Sequence, residues 1–133
     1  MHQGSCLCGA VTYEISGEIS HAYFCHCERC RKASGAAFAA NARIAPNQFR
    51  LVTGHEFLKT YRNETSSLAR KFCGECGSPV VSERSEPAVL AIRLGTLDTP
   101  LSKGPAGHIF VDSKAEWDVI TDDLPQFAEW PKG

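Results

Sequence analysis

Along the chain Val11, Tyr13 and Ile15 alternate with Thr12 and Glu14, and Ser16-Gly17 follows. That period of two predicts a half-buried strand closed by a turn. Similar short stretches predict strands over 36–44, 48–52, 57–61, 68–72, 80–82, 89–94 and 108–111. Pro46, Gly54, Gly74, Gly77, Pro79, Pro87, Gly95, Pro100, Gly104 and Pro105 interrupt the pattern too often for long helices. One or two helical turns fit 28–33, stopped near Ser34-Gly35, and 102–107 reads as a loop. The expected architecture is mainly β, with little helix. No repeat, low-complexity tract or linker divides the sequence, so 1–133 is expected to form one domain. Within it, the 118–133 tail carries Leu124, Phe127 and Trp130 among prolines and is expected to pack on the body.

Composition narrows the function classes. Of 133 residues, 43% are hydrophobic and 22% charged, which suits a globular domain, but the apolar groups are short enough that an additional staple is expected. Fourteen Lys+Arg against fifteen Asp+Glu give a net charge of -1, which lacks the positive surplus that nucleic acid or anionic lipid would demand. No apolar run reaches the roughly 20 residues of a spanning helix, and the first residues lack the pattern of a signal peptide, so a cytoplasmic protein is expected.

Seven cysteines then change the picture. They form three groups: Cys6-Leu7-Cys8-Gly9, Cys25-His26-Cys27-Glu28-Arg29-Cys30 and Cys73-Gly74-Glu75-Cys76-Gly77. An odd number, tightly grouped in a chain expected in a reducing compartment, points to metal-binding thiolates rather than disulfides. Two residues between Cys73 and Cys76 let both sulfurs face one ion, as in a zinc knuckle. A closed structural zinc site takes four ligands, so Cys6 and Cys8 can complete the knuckle, leaving Cys25, Cys27 and Cys30 as a three-ligand site with an open position. Spacing alone also permits the knuckle to pair with two of the middle cysteines, leaving Cys6 and Cys8 as a redox pair. The middle group could equally be structural, drawing a fourth ligand from His108, His55 or another subunit.

The segments Gly4-Ser5-Cys6-Leu7-Cys8-Gly9-Ala10-Val11, Cys25-His26-Cys27-Glu28-Arg29-Cys30-Arg31-Lys32 with Ser34-Gly35, and Phe72-Cys73-Gly74-Glu75-Cys76-Gly77-Ser78 resemble, in order and spacing, the glutathione-dependent formaldehyde-activating enzyme family, which also includes centromere protein V. A weaker match around His108-Ile109-Phe110 and Lys114-Ala115-Glu116-Trp117 extends the resemblance. It implies a β-tent of antiparallel sheets folded around zinc. It also implies a structural zinc on Cys6, Cys8, Cys73 and Cys76 and a second zinc on Cys25, Cys27 and Cys30. The implied activity is that of a carbon–sulfur lyase that forms or cleaves an S-hydroxymethylglutathione-type adduct, with glutathione as cosubstrate and small thiols and aldehydes as the partners.

Three thiolates around a divalent zinc leave a formal charge of -1, so positive charge is expected nearby. Arg29, Arg31 and Lys32 lie within two residues of Cys30, although a solvated helix face explains them as well. An external thiol at the open position would ionise more readily than a free thiol, whose pKa is about 8.5. Arg31, Lys32, Ser34 and His108 are the candidate glutathione contacts. Ser34 could instead end the helix, and His108 could be a proton carrier or simply structural. His26 should point away from both flanking sulfurs, toward a supporting or surface position. Phe110, Trp117, Phe127 and Trp130 either wall a pocket or pack the core and tail. The competing functional readings are a zinc-stapled binding module without catalysis and a thiol redox or metal sensor.

Overall fold

The computed structural model describes residues 1–63 and 67–131; the last two residues of the predicted tail lie outside the described residues. Among the described residues, ten strands and one α-helix form a mainly β architecture of two sheets. The small sheet orders β1 (His2–Ser5), β2 (Thr12–Ile15) and β5 (Phe49–Thr53), all antiparallel. The large sheet contains β3 (His21–Cys25), β4 (Ala39–Ile44), β6 (Leu58–Arg62), β7 (Leu68–Cys73), β8 (Pro79–Ser85), β9 (Ala88–Arg93) and β10 (His108–Ile109), in the order β10-β3-β4-β9-β8-β7-β6. Its pairs are antiparallel except β10 with β3, so the sheet is mixed where antiparallel pairing was expected.

Alternation gives the large sheet two unlike faces. One face presents Ala22, Ala42, Ile44, Val81, Leu90 and Ile92 to Val11, Tyr13 and Ile15 beside and on the small sheet, and all of these are buried. Tyr13 stacks on Phe49 at 5.2 Å and its hydroxyl lies 2.6 Å from Thr96 Oγ1. The opposite face is polar, and strand register fixes its layout. Tyr23, Asn41 and Arg93 lie in one row across β3, β4 and β9, while Arg43, Ala91, Ser82 and Arg70 form the next row across β4, β9, β8 and β7.

The helix α1 (Glu28–Ser34) covers part of this polar face. Cys27 starts it from an extended conformation, its sulfur accepting the Cys30 amide at 3.4 Å, and Gly35 ends it in the left-handed region at φ 63°. Beyond β10, Phe110 has φ 57° and a turn over Val111–Ser113 follows, so the strand is shorter than the predicted 108–111. The tail lies along β10: the Phe127 amide donates to the His108 carbonyl at 2.9 Å, and the Phe110 amide to the Glu129 carbonyl at 3.1 Å. Strands β1 and β3 were not predicted. His2-Gln3-Gly4-Ser5 has no apolar alternation, and its strand is held by pairing with β2. Among the described residues no helix is long and apolar enough to cross a membrane.

The small sheet has little tolerance at Gly4. A Cβ there would fall 2.2 Å from Tyr13 Cζ, and that ring is 1% exposed and anchored at Thr96. Gly4→Ala is expected to destabilise the protein by about 1–3 kcal/mol, as overpacking does elsewhere. Denaturant melts should show a lowered midpoint, with Ser5→Ala, one residue along the strand, much closer to wild type.

Candidate metal centres and the adjoining cavity

The seven cysteines come together as two groups, Cys6, Cys8, Cys73 and Cys76 in one and Cys25, Cys27 and Cys30 in the other, each with its sulfurs within 4.8 Å of one another. The first group joins the end of β1 to the end of β7. Gly9 and Gly77 each follow the second cysteine of a pair, at φ 81° and 80°, and fold their amides back to the carbonyls of Cys6 and Cys73 at 3.1 and 2.8 Å. Only a residue without Cβ takes that turn freely. The Val11 amide donates to Cys6 Sγ at 3.3 Å and the Glu75 amide to Cys73 Sγ at 3.4 Å, which suits thiolates.

All seven thiols are free. Sulfur separations of 3.6 Å for Cys6 and Cys8, 3.8 Å for Cys8 and Cys73 and 3.5 Å for Cys25 and Cys27 are far above a disulfide bond. They match the edge of a zinc tetrahedron, about 3.8 Å for bonds of about 2.3 Å. Each group could therefore hold a metal ion. Electrostatics points the same way. Hydrogen bonds from Cys25 and Cys30 push the Cys27 thiol down, while the bond to Cys27 pushes Cys25 up, so the trio resists carrying three negative charges together without a cation. In the first group Cys76 is pushed down to about 5 by its hydrogen bonds with Ser78.

The groups differ in what surrounds them. Cys25, Cys27 and Cys30 line a cavity of about 640 Å³ on the polar face of the large sheet, whereas none of Cys6, Cys8, Cys73 and Cys76 does. Among the described residues the cavity is lined by Arg29, Lys32, Arg43, Arg70, Arg84 and Arg93, against one acidic residue, Glu28, whose carboxylate lies 3.4 Å from Lys32 Nζ. A chain of net charge -1 thus concentrates positive charge at one place. Trp130 from the tail forms a wall, with the Arg43 guanidinium 4.3 Å from its ring centroid and Phe110 edge-on at 5.4 Å.

Of the candidate glutathione contacts, Lys32 lines the cavity and Arg31, Ser34 and His108 do not. Arg31 Nε and Ser34 Oγ are buried without hydrogen-bond partners. His108 is 3% exposed and sits in a relay, its Nδ1 2.8 Å from His26 Nε2 and its Nε2 2.9 Å from Asp122 Oδ2. His26 is fully buried rather than at the surface, and burial pushes its pKa down. This relay ties the cysteine loop to the tail. Phe110 and Trp130 wall the cavity, Phe127 packs beside the cysteine trio, and Trp117 is exposed. Tyr23, Asn41 and the sheet arginines were not anticipated. Their signal was a lone arginine facing opposite to apolar neighbours, as Arg43 does between Ala42 and Ile44.

The profile of the glutathione-dependent formaldehyde-activating enzyme family matches residues 1–113. A Halomonas elongata protein is 28% identical over 123 residues, covering 86% of this chain and 78% of the relative. Proteins of Aspergillus flavus and Aspergillus oryzae are each 29% identical over 75 residues, 55% of this chain and 39% of theirs. All three are provisionally named glutathione-dependent formaldehyde-activating enzymes. The crystal structure of a Rhodobacter sphaeroides protein, 29% identical, superposes with a TM-score of 0.61 over 77% of this chain and 97% of its own. Because the family profile spans residues 1–113, most of the chain and both cysteine groups, the chain belongs to the glutathione-dependent formaldehyde-activating enzyme family.

Proposed function

We propose that the protein is a zinc-binding carbon–sulfur lyase that forms or cleaves a hemithioacetal between glutathione and a small aldehyde. The observation that carries this reading is the unequal placement of the cysteines: the trio opens onto a cationic cavity and the quartet does not. The quartet is then the structural zinc site and the trio the reactive one, with a fourth coordination position for an external sulfur. Zinc bound by the trio supplies Lewis acidity that favours the ionised form of an incoming thiol.

The remaining work falls to side chains of this chain. Arg29, Lys32, Arg43 and Arg84 line the cavity, where they would pair with the thiol's carboxylates and hold its sulfur toward Cys25, Cys27 and Cys30. Tyr23 packs beside the trio and would exchange a proton with the oxygen of the former carbonyl. Trp130 and Phe110 would limit water on the tail side. Addition forms a carbon–sulfur bond as the carbonyl π bond breaks, with the thiol proton ending on oxygen; cleavage is the reverse.

Zinc analysis of purified protein should give two equivalents, falling to one in Cys27→Ser with the fold retained by circular dichroism. Cys73→Ser should instead give unfolded or insoluble protein. Structural zinc binding contributes about 10–16 kcal/mol, as much as the whole stability of a typical domain. The reverse ranking would overturn the assignment of the two sites.

Exchange spectroscopy can follow glutathione and formaldehyde interconverting with their adduct, after subtraction of the spontaneous rate. Wild type should exceed that background, Cys27→Ser should fall to it, and zinc removal and return should switch the excess off and on. Failure to exceed background across several thiols and aldehydes, with zinc fully loaded, would defeat the catalytic reading.

A further inference from the structure

Arg93 is the one cavity-lining cation that is buried, at 7% exposure, and among the described residues no carboxylate pairs with it. Its Nη1 donates to Asn41 Oδ1, and its Nε is buried without a hydrogen-bond partner. Removing a guanidinium from water is costly unless an anion compensates it. A metal-loaded cysteine trio offers part of that compensation, but Asn41 lies between, its Nδ2 4.0 Å from Cys30 Sγ. With Nε enclosed, it is the Nη groups of this lining residue that can donate to a ligand in the cavity.

The register shapes what that ligand meets. Two residues before Arg93, Ala91 presents only a methyl group to the cavity floor, with Arg43 on one side and Ser82 on the other. Ser82 is 3% exposed and lines the cavity, with Arg70 beyond it. A small anionic group thus finds a shallow floor with guanidinium and hydroxyl donors, adjacent to the trio.

Bond counts separate the possible carboxylates. In glutathione both lie many bonds from sulfur and would reach lining cations on other elements, such as Arg29 and Lys32 of α1. A carboxylate on the carbon that sulfur attacks lies only two bonds from sulfur, so it stays beside the trio, where Asn41 links Arg93 Nη1 to Cys30 Sγ. We infer that the carbonyl partner carries a carboxylate beside its reactive carbon, as a 2-oxo acid such as glyoxylate does, and that Arg93 receives it. The inference rests on the lyase reading for its chemistry. Sulfur adds to the aldehyde carbon, the carbonyl oxygen takes the proton released by the thiol, and the carboxylate is unchanged throughout, so no oxidant or reductant is needed.

Two measurements test it on the zinc-loaded protein. Oxamate has the shape and charge of glyoxylate, but its amide carbonyl does not take up thiols; calorimetric titration should show oxamate binding and no binding of neutral acetamide. Arg93→Met, which removes the charge while keeping the bulk, should weaken oxamate at least tenfold, and Arg93→Lys less. If Arg93→Met does not fold, Arg93→Lys carries the test and should still weaken oxamate measurably, more than Arg70→Met on the same floor does. In exchange measurements, glyoxylate should saturate at lower concentration than glycolaldehyde, with glutathione and with uncharged 2-mercaptoethanol alike, and Arg93→Met should erase that preference. Absent oxamate binding, or binding indifferent to Arg93, overturns the inference. So does an Arg93 effect that appears only with the carboxylate-bearing thiol, because Arg93 would then serve glutathione. Arg93-dependent oxamate binding without catalysed exchange would sink the lyase reading and leave the anion site standing.

Discussion

Thiolates brought to tetrahedral-edge distance repel one another, and that repulsion governs this fold. Strand ends that come from distant parts of the chain, after β1 and at the end of β7, converge at Cys6, Cys8, Cys73 and Cys76. Without a cation, ionising such a group costs free energy; with one, the same sulfurs become the tie between the two sheets. Backbone amides at Cys6 and Cys73 and the turns at Gly9 and Gly77 are arranged for the charged form. The apolar layer between the sheets is modest, built from alanines, valines and isoleucines around Tyr13, which fits a small domain that relies on an additional tie.

The second constraint is the pleat of the large sheet. One side of β4, β8 and β9 must be apolar because it faces the small sheet, and the same alternation obliges the other side to face outward. On that side the chain places guanidinium groups from β4, β7, β8 and β9, and covers part of them with α1 and the tail. The cavity-lining arginines thereby sit on strands whose positions are fixed by the core behind them, which favours preorganisation.

Much of this was legible in the sequence, but unevenly. Cysteine spacing marked three clusters because each is local, and glycines follow two of them where turns are needed, but which clusters meet was left open by spacing and is set by the fold. The alternation at Val11, Tyr13 and Ile15 marked the small sheet's central strand because one face is buried and the other is not. β1 escaped because its stability comes from its partner, not from its own pattern. The arginine floor escaped for a different reason: Arg43, Arg70, Arg84 and Arg93 are isolated in sequence and meet only through strand register, a long-range property. His26 was expected to turn away from the sulfurs, and nothing local revealed that it would be fully buried against His108, eighty-two residues on.

The wall supplied by Trp130 has a consequence for biosynthesis. The quartet is complete once Cys76 has left the ribosome, so the two sheets can be tied together while the tail is still being made. The cavity beside the trio acquires its full aromatic wall only after Trp130 has emerged. A nascent chain can therefore order its sheets before the cavity beside the trio is walled, an order that leaves its three clustered thiols accessible until late in synthesis.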